Sequence, residues 1–197
     1  DIIVRSRIIG SLIVKDKIVV QSFGFKKYLP IGSVNICLEN LDNWKVDEII
    51  IKCIDRSKKN LGPDLDLIDN VSRLGISTPL TYAGGIRNLN DAKKVIEKGA
   101  DRICINNLFL INSLSIKNIA FALGSQSLLV SIDIIKKEDK FFWFDYVRSK
   151  LLPLELIPLD LLDYVSEIII TDVNNEGSNN KFDKEILNKI KTKFKTR

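Results

Sequence analysis

Two residue pairs in this chain are placed to hold a phosphate. Gly84-Gly85 closes a short apolar strand over 80–82, and Asn106-Asn107 closes another over 102–105. The run 90–98 between them has helical periodicity, so 81–107 reads as one βαβ unit of a parallel sheet. Glycines at a strand's C-terminal end let the backbone approach an anion. N–H groups there and at the following helix start can donate to phosphate oxygens. A Gly-Gly pair alone is more often a tight turn, and the Asn-Asn pair at the next strand end tips the balance toward a ligand.

The elements that must position these residues alternate along the chain. Strands are expected over 8–14, 48–54, 79–82, 102–105, 127–132 and 167–171. Helices are expected over 34–44, 65–74, 90–98, 115–123, 159–165 and 184–194. An extended arm over 19–25 follows a turn at Lys15-Asp16-Lys17, and 141–146 reads as a small aromatic hairpin strand. Strands nearly continuous in Ile, Leu and Val, alternating with helices, indicate a parallel sheet covered on both faces. Six such units point to an α/β chain of the (β/α)8 TIM-barrel type, covering about the first six βα units. Ser11-Leu-Ile-Val-Lys echoes Ser131-Ile-Asp-Ile-Ile-Lys, so the fifth strand repeats the first, as a half-barrel duplication would produce. Eight units take about 250 residues, so two C-terminal units are expected to be missing from a single barrel domain spanning 1–197. Without them the first and sixth strands would present open edges.

Composition narrows the function. The chain has 197 residues, 45% hydrophobic and 28% charged, enough for one cored domain. No apolar run approaches membrane-spanning length and no signal peptide is visible, which implies no membrane association. Cys37, Cys53 and Cys104 lie in or beside apolar segments without CxxC spacing and read as reduced core thiols of a cytoplasmic protein. There is no histidine and no methionine; a zinc site is not expected, nor any other metal or cofactor. Net charge is +5, with much of the excess in 184–197. Beyond Phe194 that basic tail has no interleaved aromatics, so it reads as a solvated helix face and not a nucleic-acid site.

Short motifs in order carry a family resemblance: Arg7-Ile-Ile, Val14-Lys-Asp, Val46-Asp-Glu, Gly84-Gly-Ile-Arg, Gly99-Ala-Asp-Arg-Ile, Ile105-Asn, Gly124-Ser-Gln-Ser, Ser131-Ile-Asp and Glu167-Ile-Ile-Ile-Thr. Glu176-Gly-Ser and Phe182-Asp follow with drift. From Arg7 onward the chain resembles the cyclase subunit of imidazole glycerol phosphate synthase, a (β/α)8 barrel that receives ammonia from a glutaminase partner. The resemblance implies that Gly84, Gly85, Asn106 and Asn107 bind one phosphate of the substrate. Thr171 and Gly177, at the end of the sixth strand and in its loop, contribute to substrate and second-phosphate binding. The family's chemistry uses aspartates at the ends of strands one and five, a pair able to serve as general acid and base. Asp133 is the strand-five acid, but Ile13 stands at the strand-one place. Cys53 replaces a strand-two aspartate, Gln21 replaces a loop lysine, and Glu176 is the acid of the sixth loop.

At the opposite end of the barrel, Arg7, Glu48, Arg102 and Glu167 match, in place and sign, a charged gate through which ammonia enters. Asp101 matches a residue that contacts the glutaminase. Four unrelated surface charges would be the bland account. A retained gate beside an altered mouth is similar to barrels of surface-polysaccharide pathways, which lack the strand-one aspartate and help build acetamidino sugars. Phe25-Lys-Lys-Tyr-Leu-Pro-Ile-Gly-Ser and Ile54-Asp55 resemble their first loop and second strand end. The resemblance thus implies an ammonia-channelling subunit in a heterodimer with a glutaminase, acting on a phosphorylated or sugar small molecule through Asp133 and Glu176. The alternatives are a histidine-biosynthesis cyclase and a non-catalytic scaffold that switches on its glutaminase.

Overall fold

The computed structural model describes residues 6–193. Phe194 and the last residues of the basic tail lie outside them. Among the described residues, ten strands form one sheet. Its parallel part runs through β1 (Ile9–Lys15), β4 (Glu48–Cys53), β5 (Leu80–Ala83), β6 (Arg102–Ile105), β7 (Leu128–Lys137) and β10 (Glu167–Asp172). These are the six strands expected from the apolar runs. Helices α1 (Val34–Asn43), α2 (Leu65–Ser72), α3 (Leu89–Glu97), α5 (Ser113–Leu123) and α6 (Lys184–Lys193) lie between or after them. Ser33, Asp64, Asn88 and Asn112 cap the first four by accepting a backbone N–H three residues on.

Alternation along each parallel strand sorts side chains onto two faces. Leu12, Ile49, Ile51, Tyr82, Ile103, Leu128, Val130 and Ile132 pack with Leu38, Ile68, Val95, Ile116 and Ile119 of the helices into the main core. Ser11, Ile13, Lys52, Ala83, Cys104, Ser131, Asp133 and Thr171 turn to the other face and line one cavity. A flat sheet could not bring residues of β1 and β10 to the same cavity, so the wall is curled. Two contacts draw its ends together: Arg7 reaches Glu167 at 2.5 Å, and Gly24 donates its N–H to the Glu176 carbonyl at 3.1 Å.

Among the described residues, β10 pairs only with β7, and the neighbour of β1 away from β4 is the short antiparallel contact to β2 (Ile18–Phe23). The open edges expected of the first and sixth strands are present, and Ile168, Ile169 and Ile170 are accordingly only half-buried.

Several local expectations change. The extended arm is a regular strand, β2, and it is followed by β3 (Lys27–Gly32), where the sequence suggested a loop and helix start. Pro30 sits in β3 because that strand is at the sheet's edge, where a missing N–H costs little. Asn107 begins a further short helix, α4 (Asn107–Ile111). The aromatic segment forms β8 (Lys140–Asp145), antiparallel to β7, and β9 (Lys150–Pro153) adds a third strand. The helix expected over 159–165 is a 3-10 helix, Leu159–Tyr164, confined between Pro158 and β10. β1 and β7, the two strands with similar sequences, both run on into antiparallel meanders, β2–β3 and β8–β9. No helix among the described residues is long and apolar enough to cross a membrane.

Candidate active site

The cavity, of about 280 Å3, opens at the carboxyl ends of the parallel strands. Asp133, 3% exposed, stands at its centre on β7. Asn106, between β6 and α4, donates its Nδ2 to the Asp133 carboxylate at 2.7 Å. Burial pushes the Asp133 carboxyl up to about 6, while Asn106, the Lys52 ammonium and Thr171 hold it down and Glu176 pushes it further up. A carboxyl poised there can take and return a proton near neutral pH. Ile13 lines the same cavity from β1. Its side chain has no proton to exchange, so Asp133 has no second carboxylate on that strand.

Glu176, in the loop after β10, also lines the cavity. Its carboxylate accepts from Ser22 Oγ at 3.1 Å and from the Phe25 N–H at 3.4 Å, which fastens the sixth loop to the β2–β3 turn. Gly177 follows with φ +72°, and a Cβ there would lie 1.9 Å from the Ser22 carbonyl oxygen. The residue serves this close backbone approach and is not among those lining the cavity. Gly177→Ala is therefore expected to destabilise the protein by roughly 1–3 kcal/mol through backbone strain. Chemical denaturation would measure that loss, and a variant as stable as the parent would show that the loop is not packed on β2.

The glycine pair has a similar double aspect. Gly84 and Gly85 both line the cavity, yet Cβ atoms on them would meet the Cys53 carbonyl at 2.4 Å and the Leu61 and Gly62 carbonyls at 2.6 Å. Close packing of the β5 end against neighbouring backbone thus accounts for both glycines, alongside any role toward a ligand. Asn107 lines the cavity and accepts from Arg148 Nη1 at 3.4 Å. Thr171 pairs in register with Asp133.

At the far end of the strands, the four residues expected as a gate come together. Glu48, 2% exposed, accepts from Arg7, from Thr81 and from Arg102, whose Nη2 lies 2.5 Å away. Glu167 accepts from Arg7 at 2.5 Å and from Arg102 at 3.3 Å. Burial alone would raise the Glu167 carboxyl, but the hydrogen bonds from Arg102 and Arg7 outweigh it and keep the group below its ordinary value. Asp101, at the same end, accepts the Leu80 N–H at 2.7 Å and thereby pins the start of β5.

Sequence reasoning passed over Lys52, Ser57, Cys104, Ser131 and Tyr146, all of which line the cavity. For Lys52 a signal was available: a lysine directly after the apolar run Ile49–Ile50–Ile51, two residues on from Ile50, sits on the inward face shared with Glu48 and Ile50. Burial raises the Cys104 thiol to about 12, so it stands there as a neutral group.

A curled parallel wall, its helices outside and a carboxylate at the carboxyl ends of its strands, defines a (β/α)8-type barrel with its cavity at the usual face. The model of the family described as "Histidine biosynthesis protein" matches residues 7–197. The chain is 35% identical over 194 residues to a Vibrio vulnificus protein provisionally named imidazole glycerol phosphate synthase subunit hisF2, covering 94% of this chain and 69% of that one. A Campylobacter jejuni protein of the same provisional name is 34% identical, with 97% and 77% covered. The imidazole glycerol phosphate synthase subunit HisF of Staphylococcus carnosus is 29% identical, with 96% and 76% covered. The chain belongs to this histidine-biosynthesis family, among its HisF-like synthase subunits.

Proposed function

We propose that the protein is the ammonia-accepting subunit of a glutamine amidotransferase whose acceptor differs from that of a histidine-pathway cyclase. The observation that carries this reading is the contrast between the two ends of the barrel. Arg7, Glu48, Arg102 and Glu167 form a complete charged ring at one end, while Ile13 faces the Asp133 cavity at the other. A glutaminase docks at the ring and Asp101, and ammonia passes along the barrel to Asp133. Asp133 and Glu176 act on the acceptor; Gly84, Gly85, Asn106, Asn107 and Thr171 hold its phosphate or sugar parts, and Gly177 shapes the sixth loop beside them. The open edges of β1 and β10 are covered by two further βα units. Surface-glycan building, with an acetamidino sugar as product, is the pathway proposed. The provisional name hisF2 on two relatives more similar than the HisF of Staphylococcus carnosus supports a paralogue.

A histidine-biosynthesis cyclase is the second reading, favoured by Asp133, whose carboxyl is poised near neutrality. The test is an assay of the full-length protein with saturating ammonium salt and the aminoimidazole ribonucleotide precursor, which bypasses any glutaminase. No imidazole glycerol phosphate is expected. Sustained turnover would overturn the proposal in favour of the cyclase. In parallel, adding the protein to its glutaminase should raise the rate of glutamine hydrolysis. No stimulation would remove the amidotransferase reading.

A further inference from the structure

Lys52 is the one lysine or arginine among the residues lining the Asp133 cavity. It sits near the end of β4, half-buried, on the inward face. Among the described residues its ammonium makes no hydrogen bond and no ion pair. It is nonetheless close enough to act on the interior: burial raises both Cys104 and Asp133, and Lys52 is the strongest charge pulling each of them back. An ammonium held beyond ion-pair distance from a carboxylate in one cavity leaves room for a reacting group between them. Its register partner on β1 is Ile13, and its partner on β5 is Ala83, so neither neighbouring strand neutralises it.

We infer that Lys52 is a catalytic and specificity-determining residue of this cavity, holding the carbonyl oxygen of the acceptor while Asp133 faces the attacking ammonia. This rests on the ammonia-accepting role proposed above. The step balances without a further reactant. The nitrogen lone pair forms the C–N bond, and the carbonyl π pair moves to oxygen. Lys52 gives that oxygen a proton while the Asp133 carboxylate takes one from nitrogen, leaving a carbinolamine. Loss of water then gives the imine, and a proton passes from Asp133 through solvent to restore Lys52. An acceptor whose chemistry needs a carboxylate at the β1 side of the mouth is disfavoured, because a cation and an isoleucine occupy that sector.

The test uses the full-length protein, saturating ammonium chloride and the aminoimidazole ribonucleotide precursor as probe, with Ile13→Asp, Lys52→Leu and the double variant. A carboxylate introduced at position 13 would lie beside the Lys52 ammonium and be neutralised by it, so Ile13→Asp alone is expected to stay silent. Ile13→Asp combined with Lys52→Leu is expected to gain turnover of the order of 100-fold over the parent, because the carboxyl introduced at position 13, freed from the ammonium, takes over the acid–base work at the carbonyl oxygen that Lys52 does for the protein's own acceptor. Equal activity in the single and double variants, or a folded double variant with none, overturns the inference. A second measurement holds even if the double variant fails to fold. In Lys52→Leu, the Asp133 carboxyl, followed by carboxyl NMR beside Cys104, Glu176 and Tyr146, should titrate at higher pH than in the parent. An unmoved titration overturns the inference too. Turnover of the probe by the parent protein would instead strike the proposed function. In that case full activity in Lys52→Leu would decide separately against Lys52.

Discussion

Asp133→Asn is expected to abolish acceptor turnover while making the folded protein more stable at pH 7. The two effects have one origin. Asp133 is 3% exposed, and burial raises its carboxyl from an ordinary 3.8 to about 6. For an acid raised in this way the folded state binds the proton more tightly than the unfolded state does. The parent's stability therefore falls as pH rises from about 4 to about 6, and the loss is complete above that window. The shift corresponds to about 3 kcal/mol at neutral pH, an upper bound for what the uncharged amide recovers. Urea unfolding of parent and variant should thus diverge above pH 6 and converge below pH 4. An amide can still accept the Asn106 hydrogen bond but cannot take a proton, so turnover with ammonium and the protein's own acceptor should drop by roughly 100- to 10,000-fold. Unchanged pathway output would favour the scaffold reading, in which the barrel only switches on its glutaminase.

Glu48→Ala carries the second large effect, on stability. Glu48 is 2% exposed and accepts from two arginines and the Thr81 hydroxyl. Its removal leaves Arg102, itself 18% exposed, with Glu167 as its remaining ionic partner at 3.3 Å. Breaking a buried ion pair from one side typically costs about 3–5 kcal/mol, because the other charge stays desolvated. A shift of the urea midpoint by that amount at constant slope is expected, with little dependence on added salt. A loss under about 1 kcal/mol would place the four charges with solvated surface pairs, whose contribution is small. Glu48→Gln, which keeps the shape and one of the two acceptor oxygens, should fall between parent and alanine variant. That ordering separates charge from packing.

The sequence determined the class of fold and the ends of the strands. Apolar runs of Ile, Leu and Val can be satisfied only by burial on both faces, and their spacing leaves room for one helix between strands; all six parallel strands lie where those runs do. Asp133 and the four gate residues were legible through the family resemblance, whose short motifs Arg7-Ile-Ile, Ser131-Ile-Asp, Val46-Asp-Glu, Gly99-Ala-Asp-Arg-Ile and Glu167-Ile-Ile-Ile-Thr lie on or beside those same strands. Antiparallel additions were harder to read. β3 and β9 are short edge strands of mixed polarity, Lys27–Gly32 and Lys150–Pro153, and their pairing depends on a neighbour that local composition does not encode.

What each inward residue touches was decided by the tertiary structure. Curling the wall sets Lys52 and Asp133 in one cavity although two strands of the sheet, β5 and β6, separate their hosts, and it brings Arg7 to Glu167, 160 residues apart. It also gives Gly177 and Gly84 a packing duty, since other backbone fills the space a side chain would need. Sequence periodicity says which face a residue takes; only closure of the wall sets the distance across it, and with that distance the charge that each group feels.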